Sequence, residues 1–214
     1  MTRVILVGNG PSVLNHELGD AIDSHDIVVR FNSYRIEGYE ASVGKRTDFW
    51  FTTLLPTFRM ADSFQRVYWH SWQWDRFKDT RFHDLLRFYP KAQKTHRGLI
   101  TEMQELTGNR EYFSYSTGAI AAHVLLKEFS SISLVGFDWW DTSVRRDKLR
   151  SESDDPNEIR WFRKLDRKDK HHYSDDQRLG RNHKPPHELQ FFLMLAKANK
   201  ITDINPESCI PKPR

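Results

Sequence analysis

Cysteine is almost absent from this chain of 214 residues, since Cys209 stands alone. A single cysteine cannot form an internal disulfide, so the fold must be stable without one, as is usual in a reducing compartment. Long apolar runs are absent as well, because no run approaches the roughly 18 residues that a membrane-spanning helix needs. We therefore expect a cytoplasmic protein with no signal peptide and no integral membrane segment.

A strong excess of charge of one sign is also lacking. Lysine and arginine number 33 against 29 aspartate and glutamate residues, which gives a formal net charge of +4. This mild excess helps to hold an anionic ligand such as a nucleotide or an acidic glycan. The excess is too small and too dispersed to indicate binding of nucleic acid, so we expect no nucleic-acid partner.

The length of the chain fits one folded domain, which we predict over residues 1–214. Seven Trp and fourteen Phe supply large units of buried area. One segment departs from the pattern, because residues 142–170 are dense in charged side chains and hold few apolar ones. A polar insertion of this length is usually a disordered loop or a mobile functional lid.

Short apolar runs alternate with amphipathic patterns along the chain. The runs predict strands at residues 3–7, 27–31, 48–51, 66–69, 131–135 and 201–204. The amphipathic patterns predict helices at residues 12–22, 74–88, 119–129 and 188–198. Such alternation implies an α/β fold, a single Rossmann-like domain with a mostly parallel sheet flanked by helices. Its ligand crevice is expected at the carboxyl ends of the strands.

The first predicted strand ends in the turn Gly8-Asn9-Gly10, which Pro11 and Ser12 follow. Backbone N–H groups in such a turn can approach an anion, and the Asn9 amide adds a donor, so phosphate is the expected guest. The spacing matches neither the dinucleotide fingerprint nor the P-loop. Taken alone, the turn is therefore equally well explained as a structural feature.

Polar side chains also lie at other places where ligands bind in a doubly wound sheet. Arg30 and Asn32 come at the carboxyl end of the second predicted strand. Ser116 and Thr117 precede Gly118 at a helix start, where they either cap the helix or contact a ligand. After the strand at residues 131–135 come Gly136, Phe137 and Asp138.

Two histidine groups late in the chain can handle a proton. His171 and His172 are adjacent, and His183 precedes Glu188 by five positions. A neutral imidazole can take a proton from a sugar hydroxyl, and a carboxylate can orient the imidazole. Glu188 can instead complement a helix dipole. The paired histidines can also be metal ligands, or exposed loop residues without a role.

Taken in order, these segments resemble the sialylmotifs of glycosyltransferase family 29. The large motif resembles VGNGPS through IDSHDIVVRFN to VGKRTDFWF, and the small motif resembles YSTGAIAAHVLLKEFSSISLVGF. The third motif resembles HHYSD, and the very short motif resembles the His183 and Glu188 pair. Bacterial family 42 sialyltransferases are similar in their opening strand, in Gly-Asn-Gly-Pro-Ser and in a late catalytic histidine. The large and small motifs of this chain both lack the cysteines that secretory family 29 enzymes join in a disulfide. This absence favours a bacterial or viral cytoplasmic member.

The resemblance implies an inverting, metal-independent glycosyltransferase, a GT-A-like sialyltransferase variant. Such an enzyme moves a sialic acid from a cytidine monophosphate (CMP) sugar to a hydroxyl of a glycan or glycolipid, with no cofactor. His183 would be the base, with Glu188 beside it, and His172 would donate to the phosphate. Asn9 and Asn32 would contact the donor phosphate or ribose. The rest of the implied donor site is Gly8, Gly10, Ser116, Thr117, Gly118, Gly136, Phe137 and Asp138.

Three alternatives stay open at this point. The donor sugar can be Kdo (3-deoxy-manno-octulosonic acid), which is also a 2-keto acid carried on CMP. The chain can be a binding module that kept the nucleotide crevice and lost catalysis. It can also be a metal-dependent hydrolase that uses His171, His172, Asp175 and Asp176.

Overall fold

The structure, a computed structural model, describes residues 1–32, 34–53, 63–70, 80–96, 98–111, 115–138, 185–208 and 210. The strands are β1 Val4–Val7, β2 Ile27–Phe31, β3 Phe49–Thr52, β4 Arg66–Trp69, β5 Gln93–Lys94, β6 Ile132–Val135 and β7 Ile201–Asp203. The helices are a 3-10 helix at Pro11–Asn15 and the α-helices α1 Gly19–Asp23, α2 Glu40–Val43, α3 Thr80–Phe88, α4 Leu99–Thr107, α5 Thr117–Leu125 and α6 Pro185–Lys197.

All seven strands form one sheet in the order β5-β4-β3-β2-β1-β6-β7. Each pair of neighbouring strands is parallel. The chain starts at β1, moves outward strand by strand to β5, and then crosses back to β6 on the other side of β1. The strand order therefore reverses between β1 and β6, which is where a ligand crevice opens in such a sheet. The predicted α/β class and parallel sheet are confirmed.

The strand β1 is buried along its whole length, as expected for a parallel strand that helices cover on both faces. Its side chains alternate between two cores. Val4 and Leu6 pack in a cluster with side chains of α4, α5 and α6. Ile5 and Val7 pack in a second cluster with side chains of the 3-10 helix, α1 and α2. The sheet is thus a central layer between two groups of helices.

The predicted strands are all present, but the helix predicted at residues 12–22 is wrong. The 3-10 helix ends at Asn15 and α1 begins only at Gly19. Gly19 lies against α2 so closely that a Cβ atom there would overlap the Glu40 carbonyl oxygen. Val13 and Ile22 still pack in one cluster. The apolar spacing was therefore correct, but two short helices produce it, bent so that α1 can contact α2.

Three short elements were not predicted, namely α2, β5 and α4. In α4 only Leu99 and Met103 are buried, so its apolar pattern is weak. The helix predicted at residues 119–129 is α5, which begins earlier at Thr117 and ends at Leu125. The helix predicted at 74–88 is described from Thr80 onward. The charged segment 142–170 lies outside the described residues, so the prediction of a lid there stays a prediction.

Backbone contacts join the turn after β1 to the end of β6. The Gly8 N–H donates to the Val135 carbonyl at 2.8 Å, and the Gly10 N–H donates to the Gly136 carbonyl at 2.9 Å. A Cβ atom on Gly8 would overlap the Gly136 carbonyl oxygen. Gly136 has a φ of +70°, a left-handed conformation that glycine adopts without strain. Glycine at these positions lets the turn after β1 lie directly against the backbone at the end of β6.

We predict that Gly8→Ala lowers the free energy of unfolding by roughly 1–3 kcal/mol, because the added methyl group overlaps backbone that cannot rotate away. The control is Gly98→Ala, whose Cβ atom would meet only the His96 ring, which is exposed and can turn aside. Denaturant titration of both variants checks this. Equal losses in the two variants would show that the close approach at Gly8 has no special cost.

Candidate active site

Four polar segments meet at the carboxyl ends of the strands, around the point where the strand order reverses. They are residues 8–12 after β1, Asn32 after β2, residues 116–118 at the start of α5 and residues 136–138 after β6. The Asn9 amide donates to the Phe31 carbonyl at 3.2 Å, which joins the first two segments. The Asn32 amide donates to the Thr117 hydroxyl at 3.3 Å, which joins the second and third.

Asn9 is the polar side chain that the glycine turn contributes to this site. The N–H groups of Gly8 and Gly10 are engaged by carbonyl groups of Val135 and Gly136, so they serve the fold and not an anion. The Oδ1 atom of Asn9 is buried and accepts no hydrogen bond from the described residues. A buried acceptor without a donor is costly, so this atom is suited to receive a ligand's N–H or O–H group.

Asn32 links three elements. It adopts φ 49°, a left-handed conformation that asparagine tolerates better than most residues. Its Oδ1 atom accepts from the Thr53 backbone N–H at 2.9 Å, and its carbonyl accepts from the Trp50 indole at 2.8 Å. Its amide reaches Thr117, as stated above. Asn32 therefore has a structural role at the ends of β2, β3 and α5, and its predicted contact with a donor stays a prediction.

Ser116 caps α5, which confirms the structural interpretation of this residue. Its hydroxyl accepts from the Ala119 N–H at 3.2 Å. Its own backbone N–H donates to the Glu188 carboxylate at 2.6 Å. The predicted contact of Ser116 with a ligand stays a prediction.

Glu188 lies in the first turn of α6 but acts on a different helix. Its side chain is buried, with 2% of the residue exposed, and its carboxylate lies at the amino end of α5, where it accepts the Ser116 N–H. A negative charge at this end complements the helix dipole of α5. The structure thus supports the dipole interpretation of Glu188 and extends it to the helix that opens the small motif. His183 lies outside the described residues, so an orienting role toward it stays a prediction.

Phe137 forms an apolar floor beneath these polar groups. Its ring lies on Gly118, where a Cβ atom would come within 2.6 Å of the ring carbon Cε1. It also contacts the rings of Phe31 and Phe192, with centroid distances of 6.0 and 5.5 Å. Gly118 is therefore required for close packing of α5 against the end of β6. Through Phe192, Phe137 also connects this part of the crevice with α6.

Asp138 holds the start of the 3-10 helix. Its carboxylate accepts the Ser12 backbone N–H at 3.0 Å and also the Ser12 hydroxyl. The Asn205 amide donates to the same hydroxyl at 2.8 Å. Sequence reasoning placed Ser12 in the glycine turn without giving its side chain a role, and it missed Asn205 as a part of the site. For Asn205 a signal was present, because it follows an apolar strand just as Asn32 does.

Arg30 does not belong to the crevice, so the expectation that it lies where ligands bind is wrong. Side chains alternate along β2, and Arg30 points to the face opposite Phe31. Its guanidinium is fully buried and donates to the carbonyl groups of Arg46 and Val43 at 3.0 and 2.5 Å. The end of α2 and the loop that follows it thus supply acceptors for this buried charge.

The predicted catalytic residues His172 and His183 both lie outside the described residues. The same holds for His171, Asp175 and Asp176, the ligands of the metal-site alternative. Within the described ranges, no group of three or more histidine, cysteine, aspartate or glutamate side chains is placed to hold a metal ion.

Residues 1–64 match the model of glycosyltransferase family 29 (sialyltransferase). Over 45 residues the chain is 47% identical to a CMP-N-acetylneuraminate-beta-galactosamide-alpha-2,3-sialyltransferase 4 of Homo sapiens. Over 45 residues it is 51% identical to a CMP-N-acetylneuraminate-beta-1,4-galactoside alpha-2,3-sialyltransferase of Homo sapiens. These matches span 21% of this chain and only 14% and 12% of the two relatives.

Solved structures extend the likeness to the whole fold. The crystal structure of a mammalian sialyltransferase in complex with Gal-beta-1-3GalNAc-ortho-nitrophenol superposes with a TM-score of 0.64 at 21% identity, over 95% of this chain and 69% of that chain. A second crystal structure of a mammalian sialyltransferase superposes with a TM-score of 0.63 at 22% identity, with the same coverage of both chains. The chain is thus sialyltransferase-like in its opening segment and in its fold. These relatives are mammalian, and the bacterial origin and cytoplasmic location expected above stay predictions. In the part of the chain that the structure describes, no helix has the length and apolar character to cross a bilayer.

Asp203, at the end of β7, is a buried carboxyl group next to this site. The pKa of Asp203 is raised from an ordinary value of 3.8 to about 6, chiefly by burial and to a smaller extent by the charge of Asp138. Hydrogen bonds from the Asn205 N–H and the Ser208 hydroxyl act in the opposite direction and lower its pKa. Because the pKa is raised in the folded state, the neutral form favours folding.

We predict that Asp203→Asn becomes more stable than wild type as the pH rises from about 4 to above 6, by about 3 kcal/mol at pH 7. The stabilisation from neutral Asp203 is fully present below pH 3.8 and is lost as the pH passes through about 6. The amide keeps both hydrogen bonds, because the Ser208 hydroxyl can reverse its role. Denaturant titration at several pH values checks this, with Asp20→Asn, an exposed position, as the control. A constant difference across this pH range would contradict the prediction.

We predict that Glu188→Gln lowers the free energy of unfolding by about 1 kcal/mol, because the amide oxygen still accepts the Ser116 N–H but the charge at the helix terminus is lost. The control is Glu105→Gln, an exposed position on α4, for which we expect less than about 0.5 kcal/mol. Denaturant titration measures both. If Glu188→Gln left stability unchanged, the contribution of its charge at α5 would be refuted.

Proposed function

We propose that this protein is an inverting glycosyltransferase that moves a sialic acid from a CMP-sugar to a hydroxyl of a glycan or glycolipid. The observation that carries the proposal is that Asn9, Asn32, Thr117 and Asp138 meet at the carboxyl ends of the strands, in segments that resemble sialylmotifs in order. The family match of residues 1–64 and the sialyltransferase fold support the same function. The chain spans a small part of its curated relatives, so their activity comes to it as a proposal.

The polar atoms favour one orientation of the donor. The phosphodiester of a CMP-sugar has no hydrogen to donate, so the Asn9 Oδ1 atom is matched to a ribose hydroxyl or to the cytosine amino group. Asp138 lies beside Gly10, where a Cβ atom would come within 2.6 Å of its Cγ atom. A carboxylate repels phosphate and accepts from hydroxyl groups. We propose that the nucleoside lies on the side of Asn9 and Asp138, with the phosphate directed away from the Asp138 carboxylate.

In the proposed reaction the acceptor oxygen forms a bond to the anomeric carbon while the bond from that carbon to the phosphate oxygen of CMP breaks. The acceptor proton goes to His183, and the bonding electrons leave with CMP from the opposite face, so the configuration inverts. His172 donates to the phosphate of the leaving group. Hydrogen-bond donors can hold this charge without a divalent ion, which is why we propose a metal-independent transfer.

We predict that the protein releases CMP from CMP-sialic acid when a galactoside acceptor is present, and that His183→Ala lowers kcat/KM by about 100-fold or more. The loss follows from removing the general base. A coupled assay for CMP measures it, with CMP-Kdo as a second donor. The control is His83→Ala, an exposed histidine on α3, which we expect to keep wild-type activity.

Other outcomes distinguish the alternatives. Faster turnover of CMP-Kdo than of CMP-sialic acid would replace the sugar and keep the chemistry. Binding of CMP without its release from any donor would identify a binding module. Loss of activity on addition of a chelator, restored by a divalent ion, would refute the metal-independent mechanism.

A further inference from the structure

We propose that Asn205, in the turn after β7, is a positioning residue that holds the glycine turn of the donor site in place through Ser12. This inference rests on the proposed function only in taking CMP as the ligand. The turn that follows β7 has no counterpart among the motifs. The hydrogen bond between Asn205 and Ser12 joins residues that are 193 positions apart in the chain.

The Ser12 hydroxyl joins Asn205 to Asp138 in a directional chain. A serine hydroxyl has one hydrogen to donate, and Ser12 donates it to the Asp138 carboxylate. The group that lies on its other side must therefore be a donor. The Asn205 amide meets this need and donates to Ser12 at 2.8 Å.

The Asn205 side chain is held in this orientation by its surroundings. It is buried, with 4% of the residue exposed. Its Oδ1 atom accepts the Glu207 N–H at 3.0 Å, which directs the NH2 group toward Ser12. Its backbone N–H donates to Asp203 at 2.9 Å, and Asp203 in turn accepts from Ser208 at 2.7 Å. The amide is thus positioned before any ligand arrives.

The consequence for the donor site follows from where Ser12 lies. It comes directly after Pro11, next to the turn Gly8-Asn9-Gly10 that carries the Asn9 side chain. The Asp138 carboxylate fixes both the N–H and the hydroxyl of Ser12, and it also borders Gly10. Without the Asn205 bond, Asp138 alone holds the Ser12 side chain. The end of the glycine turn next to Asn9 is then held less firmly.

The first experiment measures CMP binding by calorimetry for wild type, Asn205→Ala, Ser12→Ala and the double variant. We expect each single change to raise the Kd for CMP about 10-fold, which corresponds to about 1.4 kcal/mol. The double variant should bind no more weakly than Ser12→Ala alone, because Ser12→Ala already removes the bond that Asn205→Ala breaks. The control is Gln65→Ala, which removes an amide hydrogen bond to Asp48 at the opposite edge of the sheet. Additive losses, or an unchanged Kd in Asn205→Ala, would overturn the proposal.

A second experiment needs no ligand and separates this proposal from the proposed function. Hydrogen exchange followed by mass spectrometry should show about 10-fold faster exchange in peptides that cover residues 8–15 of Asn205→Ala, with no such change in Gln65→Ala. Asn205→Asp provides a second variant of the same shape, which replaces the donor with an acceptor and should give the same result. If wild type fails to bind CMP, the proposed function is wrong, and exchange at residues 8–15 still decides the positioning role. Faster exchange confined to residues 203–210 would refute that role.

Discussion

The arrangement of the site depends on how closely two backbones approach where β1 and β6 separate. The N–H groups of Gly8 and Gly10 donate to carbonyl groups at the end of β6, and any side chain on Gly8 would overlap Gly136. This contact fixes the position of the glycine turn relative to the ends of β1 and β6. It also places Phe137 against α5 and Asp138 against the 3-10 helix. The remaining polar groups are arranged around these fixed points.

Much of this architecture follows from local sequence patterns. Each predicted strand is present because a short buried strand needs little more than an apolar run between polar residues. The parallel sheet follows from the alternation of strands and helices. Asn32 follows the carboxyl end of β2, and α5 begins with Thr117 at the same side of the sheet, so the two side chains meet. Positions that the sheet topology determines were therefore predictable from the sequence.

Features that depend on distant partners were not predictable. The glycine N–H groups looked free for an anion because their acceptors lie on β6, far along the chain. Arg30 looked like a ligand group because its carbonyl partners at Val43 and Arg46 are invisible to a strand pattern. The break between the 3-10 helix and α1 depends on the close contact of Gly19 with α2. In each case the local pattern was read correctly, but the contacting segment could not be identified from the sequence.

Asn32 shows how narrow the choice of side chain at such a junction becomes. A replacement must tolerate a left-handed backbone, offer an acceptor to Thr53 and offer a donor to Thr117. Glycine meets only the first requirement, and aspartate meets the first two. Histidine tolerates the conformation but is too large for a position that is 4% exposed. Sequence drift at this position is thus restricted by geometry alone, before any demand that a substrate adds.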